Sequence, residues 1–341
     1  MAKNITKKIT SIGGSALIEG IMMRGPKRTT ICVRTGKDEI YSEDIEVKTL
    51  AQKCKIFKYP FIRGIAGFID SMRLSYKSLM ISADKAIESA EFEEEPSKFE
   101  KWLDDKLGDK LINFLMGLAS VIGIAFAVLL FFFVPSFLFD FLSKYIPIFQ
   151  GEGELALFSK SVFEGIVKIL LFLIYIILCS QMNDMKRVFM YHGAEHKTIF
   201  CYENDEELTV ENVKKQSRFH PRCGTSFMIL MLIVGIVIGL FVPAKPFGIG
   251  FLRPVIKILL LPLSCGIGYE LIKLCGKHDN ALTRMIAAPG IWAQRITTRE
   301  PDDKMIELAI EAIKAVIPED GSDIVNNSCG KKAINEPSVF D

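Results

Sequence analysis

The sequence predicts a helical membrane protein with four transmembrane helices and a small cytosolic α+β module at its N-terminus. Three observations predict it. Half of the 341 residues are hydrophobic although 24% are charged, so the apolar residues must be gathered into blocks. Those blocks fall at about 111–139, 160–181, 226–242 and 252–275, the third near the lower limit of the roughly 17–25 residues a spanning helix needs. The residues ahead of the first block read instead as strands and one amphipathic helix.

Lysine and arginine set the orientation. Lys98, Lys101, Lys106 and Lys110 precede the first block, and seven basic residues (Lys186, Arg187, Lys197, Lys214, Lys215, Arg218, Arg222) lie between the second and third. The opposite loops hold only Lys144 and Lys245. Both termini and the 183–225 loop are therefore expected in the cytoplasm. The formal charge of +2 selects no partner, and no basic-aromatic stripe suggests nucleic acid. Eight cysteines are scattered without a CxxC pair and read as reduced thiols. The basic start is followed by too short an apolar run, interrupted by Glu19, so no cleaved targeting segment is expected.

In chain order, residues 1–90 form the α+β module. Thr30–Arg34 and Glu39–Val47 flank a turn-like break and predict a hairpin. From Ile62 to Ile87 the apolar residues recur at helical spacing, with Arg73, Lys77 and Lys85 on the other face. This helix either covers the sheet, the preferred reading, or lies in the headgroup plane. Residues 91–110 read as a charged linker, 111–275 as the four-helix membrane domain, 276–320 as a cytosolic helix region and 321–341 as a flexible tail. Asp302–Val316 is expected as the last helix, opened by Pro301 and Asp302 and ended by Pro318.

The chemistry concentrates after the second block, in His192-Gly-Ala-Glu-His196. On a helix His192 and His196 stand one turn apart on one face with Glu195 beside them, as zinc hydrolases place two imidazoles and a general base. His220-Pro-Arg-Cys223 supplies a second ligand spacing on the same loop, and imidazole with thiolate favours zinc or another divalent transition metal. Four ligands, His192, His196, His220 and Cys223, would close a structural site; three, expected as His192, His196 and His220 with Cys223 accessory, would leave a position at which Glu195 serves as the base. Surface histidines without a metal are the plain alternative. Asp184 is a secondary candidate to orient an imidazole. Glu270, an ionisable group at the end of the fourth block, is a candidate ligand or the partner of Lys273, and His278 is a further candidate. The glycines at 13, 14, 20 and 25 lack nucleotide-binding spacing. A transporter is disfavoured because few ionisable residues were found toward the midplane.

Gly13–Pro26, Tyr191–Ile199, His220–Phe227 and Pro289–Pro301, in that order, resemble the YqhQ family of bacterial membrane proteins. The likeness runs from about residue 12 to about 316. It implies a multi-pass protein of a bacterial cell membrane and a family of unknown function described as predicted metal-dependent enzymes; no substrate follows from it. The expectation is a membrane-embedded, metal-dependent and hydrolase-like enzyme with a cytosol-facing site, acting on a membrane-associated substrate. The rival is a non-catalytic assembly or scaffold factor with structural zinc and a protein partner. The sequence does not give the oligomeric state.

Overall fold

The computed structural model describes residues 8–36, 39–53, 55–90, 114–115, 117–146, 149–150, 153–277 and 281–327. Its elements run β1 (Lys8–Thr10), β2 (Gly13–Leu17), β3 (Gly20–Arg24), β4 (Thr29–Arg34), β5 (Ile40–Asp44), α1 (Ile62–Ala90), α2 (Gly117–Leu142), α3 (Glu154–Cys179), α4 (Asn183–Glu203), α5 (Val210–Lys215), α6 (Gly224–Gly239), α7 (Leu252–Leu259), α8 (Leu261–Lys277), α9 (Ala281–Thr297), α10 (Asp303–Val316) and β6 (Ile324–Asn327). The linker expected at 91–110 lies outside the described residues. The described residues form two compact units. One draws on the described residues within 1–90, 176–230 and 265–341, the other on those within 91–175 and 231–264.

In the first unit the antiparallel sheet runs β2-β3-β4-β5. The expected hairpin is β4–β5, with Arg34 opposite Ile40. Ile21, Met23 and Cys32 point to one side, onto Tyr191, Ala194 and Ile199 of α4 and Ile306, Ala309 and Ile313 of α10. Met22, Ile31 and Val33 point to the other, onto Leu74 of α1. Because side chains alternate along a strand, a sheet covered on both faces needs apolar residues at every position. Hence the unbroken runs Ile21–Met23 and Ile31–Val33. The α10 helix starts where expected, the Asp302 carboxylate accepting from Met305 N at 2.8 Å.

Two differences from the sequence reading affect the site. The 183–225 segment is no loop: Ser180–Met182 forms a turn after α3, and α4 and α5 follow. The expected flexible tail also begins with a strand, since β6 pairs antiparallel with β1. Residues 328–341 lie outside the described residues.

The second unit is apolar and mostly helical. Two helices, α2 and α3, are each 26 residues long and apolar enough to cross a membrane, and α7 with α8, bent by 44°, makes a third if the pair is one span. The 16 residues of α6 reach about 24 Å, short of the roughly 30 Å hydrocarbon core. Among the described residues two or three candidate spans thus stand where four were expected.

Charges that sequence reading overlooked meet inside this unit. Glu164 of α3, buried, accepts from Arg253 Nε at 3.2 Å, from Ser136 Oγ at 2.7 Å and from Lys257 Nζ. Arg253 is fully buried and also donates to Val242 O and to Ser161 Oγ at 2.7 Å. Removing one partner of such a set strands the others without water. Arg253→Met should therefore lower the stability of the detergent-solubilised protein by about 3–5 kcal/mol. Thermal unfolding checks this, and the Glu164→Gln/Arg253→Met double variant should recover part of the loss.

Candidate metal and acid–base site

The α4 helix carries the site because its period puts His192 and His196 one turn apart. Their ring centroids lie 4.4 Å apart. Cys223, in the turn before α6, meets them: His192 Nε2 is 3.1 Å from Cys223 Sγ. One ligand atom from each of His192, His196 and Cys223 lies within 4.8 Å of the others.

Backbone carbonyls orient both rings. His192 Nδ1 donates to Thr297 O at 2.8 Å, and His196 Nδ1 donates to Arg218 O at 2.6 Å. With the proton on Nδ1, each Nε2 keeps its lone pair for the thiol side of the site. His196 Nε2 makes no hydrogen bond, and neither does Glu195 Oε2, although both are buried. The other bond to the Glu195 carboxylate comes from the backbone N–H of Gly14 on the edge strand β2. Both unpaired atoms belong to side chains lining a cavity of about 200 Å³, with Gly13, Gly14, Ser15, His220, Arg222 and Cys223. Buried polar atoms without partners are rare and call for a ligand or water.

The electrostatics of the cluster are those of a charge-exchanging pair. Burial opposes charge on Cys223, but His192 and His196 outweigh it and hold the thiol well below its ordinary range. Burial likewise opposes charge on His192, and Cys223 with Glu195 lifts it to about 9. Burial raises Glu195, with the two imidazoles pulling the other way.

Among the other candidates, His220 turns away from the ligand group: its Nε2 is 3.6 Å from Glu203 Oε2, and Arg222 ion-pairs with the same carboxylate. Burial first, and then Arg222 and His196, push His220 down to about 4, while Arg222 and His220 overcome burial to hold Glu203 at about 2. Asp184 is exposed in the first turn of α4, about 12 Å of helix rise from His192, so it does not orient an imidazole. Glu270 is engaged by Arg63 through Nε at 2.8 Å and Nη2 at 2.6 Å and does not join the group. His278 lies outside the described residues.

Sequence reading gave no role at the site to the residues that hold these parts together. Gln294 of α9 accepts from His220 N at 2.8 Å and donates to His220 O at 2.7 Å and Ser226 Oγ at 3.0 Å. Gly193 lets the Arg299 carbonyl come so near that a Cβ there would collide with it. Glu19, at φ 50 in the β2–β3 turn, takes Arg187 of α4 as its partner. All four stretches that carried the family resemblance therefore converge here: the Gly14 N–H, the α4 histidines, Cys223, and Gln294 with Thr297.

Residues 59–319 match the family described as "Protein of unknown function (DUF1385)". The chain is also 34% identical over 311 residues to "Uncharacterized protein YqhQ" of Bacillus subtilis (strain 168), covering 89% of this chain and 92% of that protein. The chain belongs to the DUF1385 family. No solved structure matches it. For this DUF1385 member the fold and the site described above therefore stand without a structural relative for comparison.

The buried Glu203 and His220 give the site a defined acid sensitivity. Both have folded values below their ordinary 4.5 and 6.5, so the unfolded chain binds protons first and stability falls as pH falls. The His220 contribution is lost between about pH 6.5 and 4, and that of Glu203 between about 4.5 and 2. Glu195 and His192, shifted upward, contribute in the opposite sense, so the measurement is a comparison: between pH 6.5 and 4 the melting temperature of His220→Asn should lose less on acidification than that of the wild type.

Proposed function

We propose that this protein is a membrane-embedded, metal-dependent enzyme of hydrolase type. Its ligands are His192, His196 and Cys223, its ion is zinc or a similar divalent transition metal, and Glu195 is its general base. The observation that carries the reading is the pair of imidazoles whose Nδ1 protons are held by backbone carbonyls, His192 Nε2 lying 3.1 Å from the Cys223 sulfur and His196 Nε2 without a hydrogen bond. Soft sulfur with two nitrogens suits zinc, and three protein ligands leave one position open. A bound ion of this kind supplies Lewis acidity at that open position. Glu195 then takes a proton from the attacking water at its unpaired Oε2, and Gly14 N–H keeps the carboxylate in place. Burial keeps bulk water from competing for that proton.

Purified full-length protein should contain about one zinc-type ion per chain, as expected for a single site. Metal analysis should find it lost in His192→Ala and His196→Ala. X-ray absorption should report two imidazole nitrogens, one sulfur and one light non-protein atom. Glu195→Gln should retain the ion and fail to replace the wild-type gene, since an amide is no base. Full metal content in the His192→Ala/His196→Ala double variant would sink the site. A fourth protein ligand, with Glu195→Gln fully functional, would favour the structural-zinc scaffold.

We also propose four spans, with α6 as the short one, in a bacterial cell membrane with both termini in the cytoplasm. The lysine and arginine asymmetry supports this orientation. Reporter fusions after Lys110 and Asp341 should signal cytosol and one near Gly151 the outside; a cytosolic signal at Gly151 would remove the first membrane hairpin.

A further inference from the structure

Helix α1 uses only part of its circumference to cover the sheet. Leu74 packs into the sheet core, Ser82 Oγ donates to Ile18 O, and Asp70 accepts from Leu50 N at 2.7 Å. Elsewhere on the helix Ile69, Met72, Tyr76 and Leu79 are 43%, 57%, 61% and 43% exposed. Their spacing of i, i+3, i+7 and i+10 places them in one stripe. Arg73 and Lys77 stand exposed along its border. A contiguous apolar stripe with a cationic rim marks a surface for something apolar and negatively charged.

The start of α1 is fixed beside a candidate span. Arg63 grips Glu270 of α8 with two hydrogen bonds, at 2.8 and 2.6 Å. Gly64 lies so close that a Cβ would come within 2.6 Å of Tyr269 Cβ, and Gly266 of α8 faces Phe61 in the same way. Around this anchor Ile56, Tyr59 and Phe61 are 51%, 64% and 50% exposed. The Tyr59 ring, apolar with a hydroxyl at its tip, is of the kind that favours the headgroup level of a bilayer, and Ile56 and Phe61 add apolar surface beside it.

We propose that the outer face of α1 lies on an anionic bilayer surface, with Ile69, Met72, Tyr76 and Leu79 at the acyl boundary and Arg73 and Lys77 on lipid phosphates. The anchor on α8 favours lipid over a second copy of the chain, because a helix tied to a span is already held at the membrane and surrenders little further freedom on docking. The cationic rim complements an anionic leaflet and would repel the same rim of another copy. Ser71, Leu74 and Ser75 of this helix also line the cavity that holds Glu195, His196 and Cys223. Docking therefore sets the wall of that cavity beside the headgroup layer, whether or not a metal is bound.

The test is fluorescence quenching by brominated lipid, with full-length protein in nanodiscs. The chain's two tryptophans, Trp102 and Trp292, are replaced by Phe, and a single reporter is introduced as Tyr76→Trp or, as a control on the exposed side of β5, Ser42→Trp. In discs containing phosphatidylglycerol the Tyr76→Trp reporter should be quenched several-fold more strongly than the control. Adding Arg73→Glu and Lys77→Glu, or using purely zwitterionic lipid, should reduce that difference. Thermal unfolding of each variant verifies that it is folded. Equal quenching at the two reporters overturns the proposal. So does Tyr76→Trp shielded from bromine while Met72→Cys cross-links two copies, which would assign the face to self-association. Strong quenching indifferent to lipid charge and to Arg73 and Lys77 overturns the anionic part.

Discussion

An imidazole nitrogen offers a lone pair only when the ring proton sits on the other nitrogen, and in this protein two backbone carbonyls decide where that proton sits. Thr297 O holds the Nδ1 proton of His192, and Arg218 O holds that of His196. One carbonyl comes from the end of α9 and the other from the segment before α6, so the rings are aligned only when those distant stretches dock on α4. The remaining contacts serve this docking. Gln294 bonds both backbone groups of His220, and the Arg299 backbone reaches α4 by donating to Phe189 O at 2.8 Å. The sheet and α10 then close over the hydrophobic side of the same helix.

Two buried carboxylates on α4 show how burial separates roles. Glu203 has Arg222, the Thr10 N–H at 2.9 Å and His220 around it. Its charge is compensated on several sides, and it ties β1 to the helix. Oε2 makes no hydrogen bond in either residue, but that of Glu203 faces His220 Nε2 at 3.6 Å and Arg222 holds its other oxygen, whereas Glu195, two turns earlier, has one backbone N–H. A desolvated carboxylate with spare acceptor capacity is costly for stability, and such groups persist where a proton or ligand is to be received. The same helix thus carries one carboxylate held by a cation and a strand and one whose acceptor capacity is largely uncommitted, distinguished by what surrounds them.

What the sequence made legible is what a local period encodes. The one-turn spacing of His192 and His196, the apolar face of α10 with its Asp302 cap, and the β4–β5 hairpin all depend on neighbours a few residues away, and each is present. The orienting carbonyls left no trace, because every residue carries one. Gln294 looked like any polar residue near a helix end, although its amide pairs with a backbone 74 positions away. Glu164 and Arg253 were invisible as a pair for the same reason, being 89 residues apart. Neither carries a local signal of its partner; together they satisfy one another, and the expectation of few ionisable residues inside the apolar blocks has to be revised. The expected tail failed similarly, since Ile324–Asn327 is ordered only by β1 at the other end of the chain.

The same contrast explains why the ligand group holds three residues although the sequence offered four. His220 and Cys223 are three positions apart in a turn whose backbone Gln294 grips at His220. Held there, His220 stacks near Phe200 with ring centroids 4.6 Å apart and points its Nε2 at Glu203 and Arg222. Turning it toward Cys223 would strip a neighbour from a carboxylate that is 1% exposed and would break packing on Phe200, losses that a fourth ligand bond would have to exceed. Cys223 bears no such tie; its sulfur contacts His192 and the Thr225 hydroxyl at 3.3 Å. The position that His220 leaves free adjoins the cavity lined by Glu195. Under the proposed metal-site reading, that arrangement sets Glu195, rather than a fourth ligand, beside the open side of the group, and the pairing of His220 with Glu203 is what keeps it open.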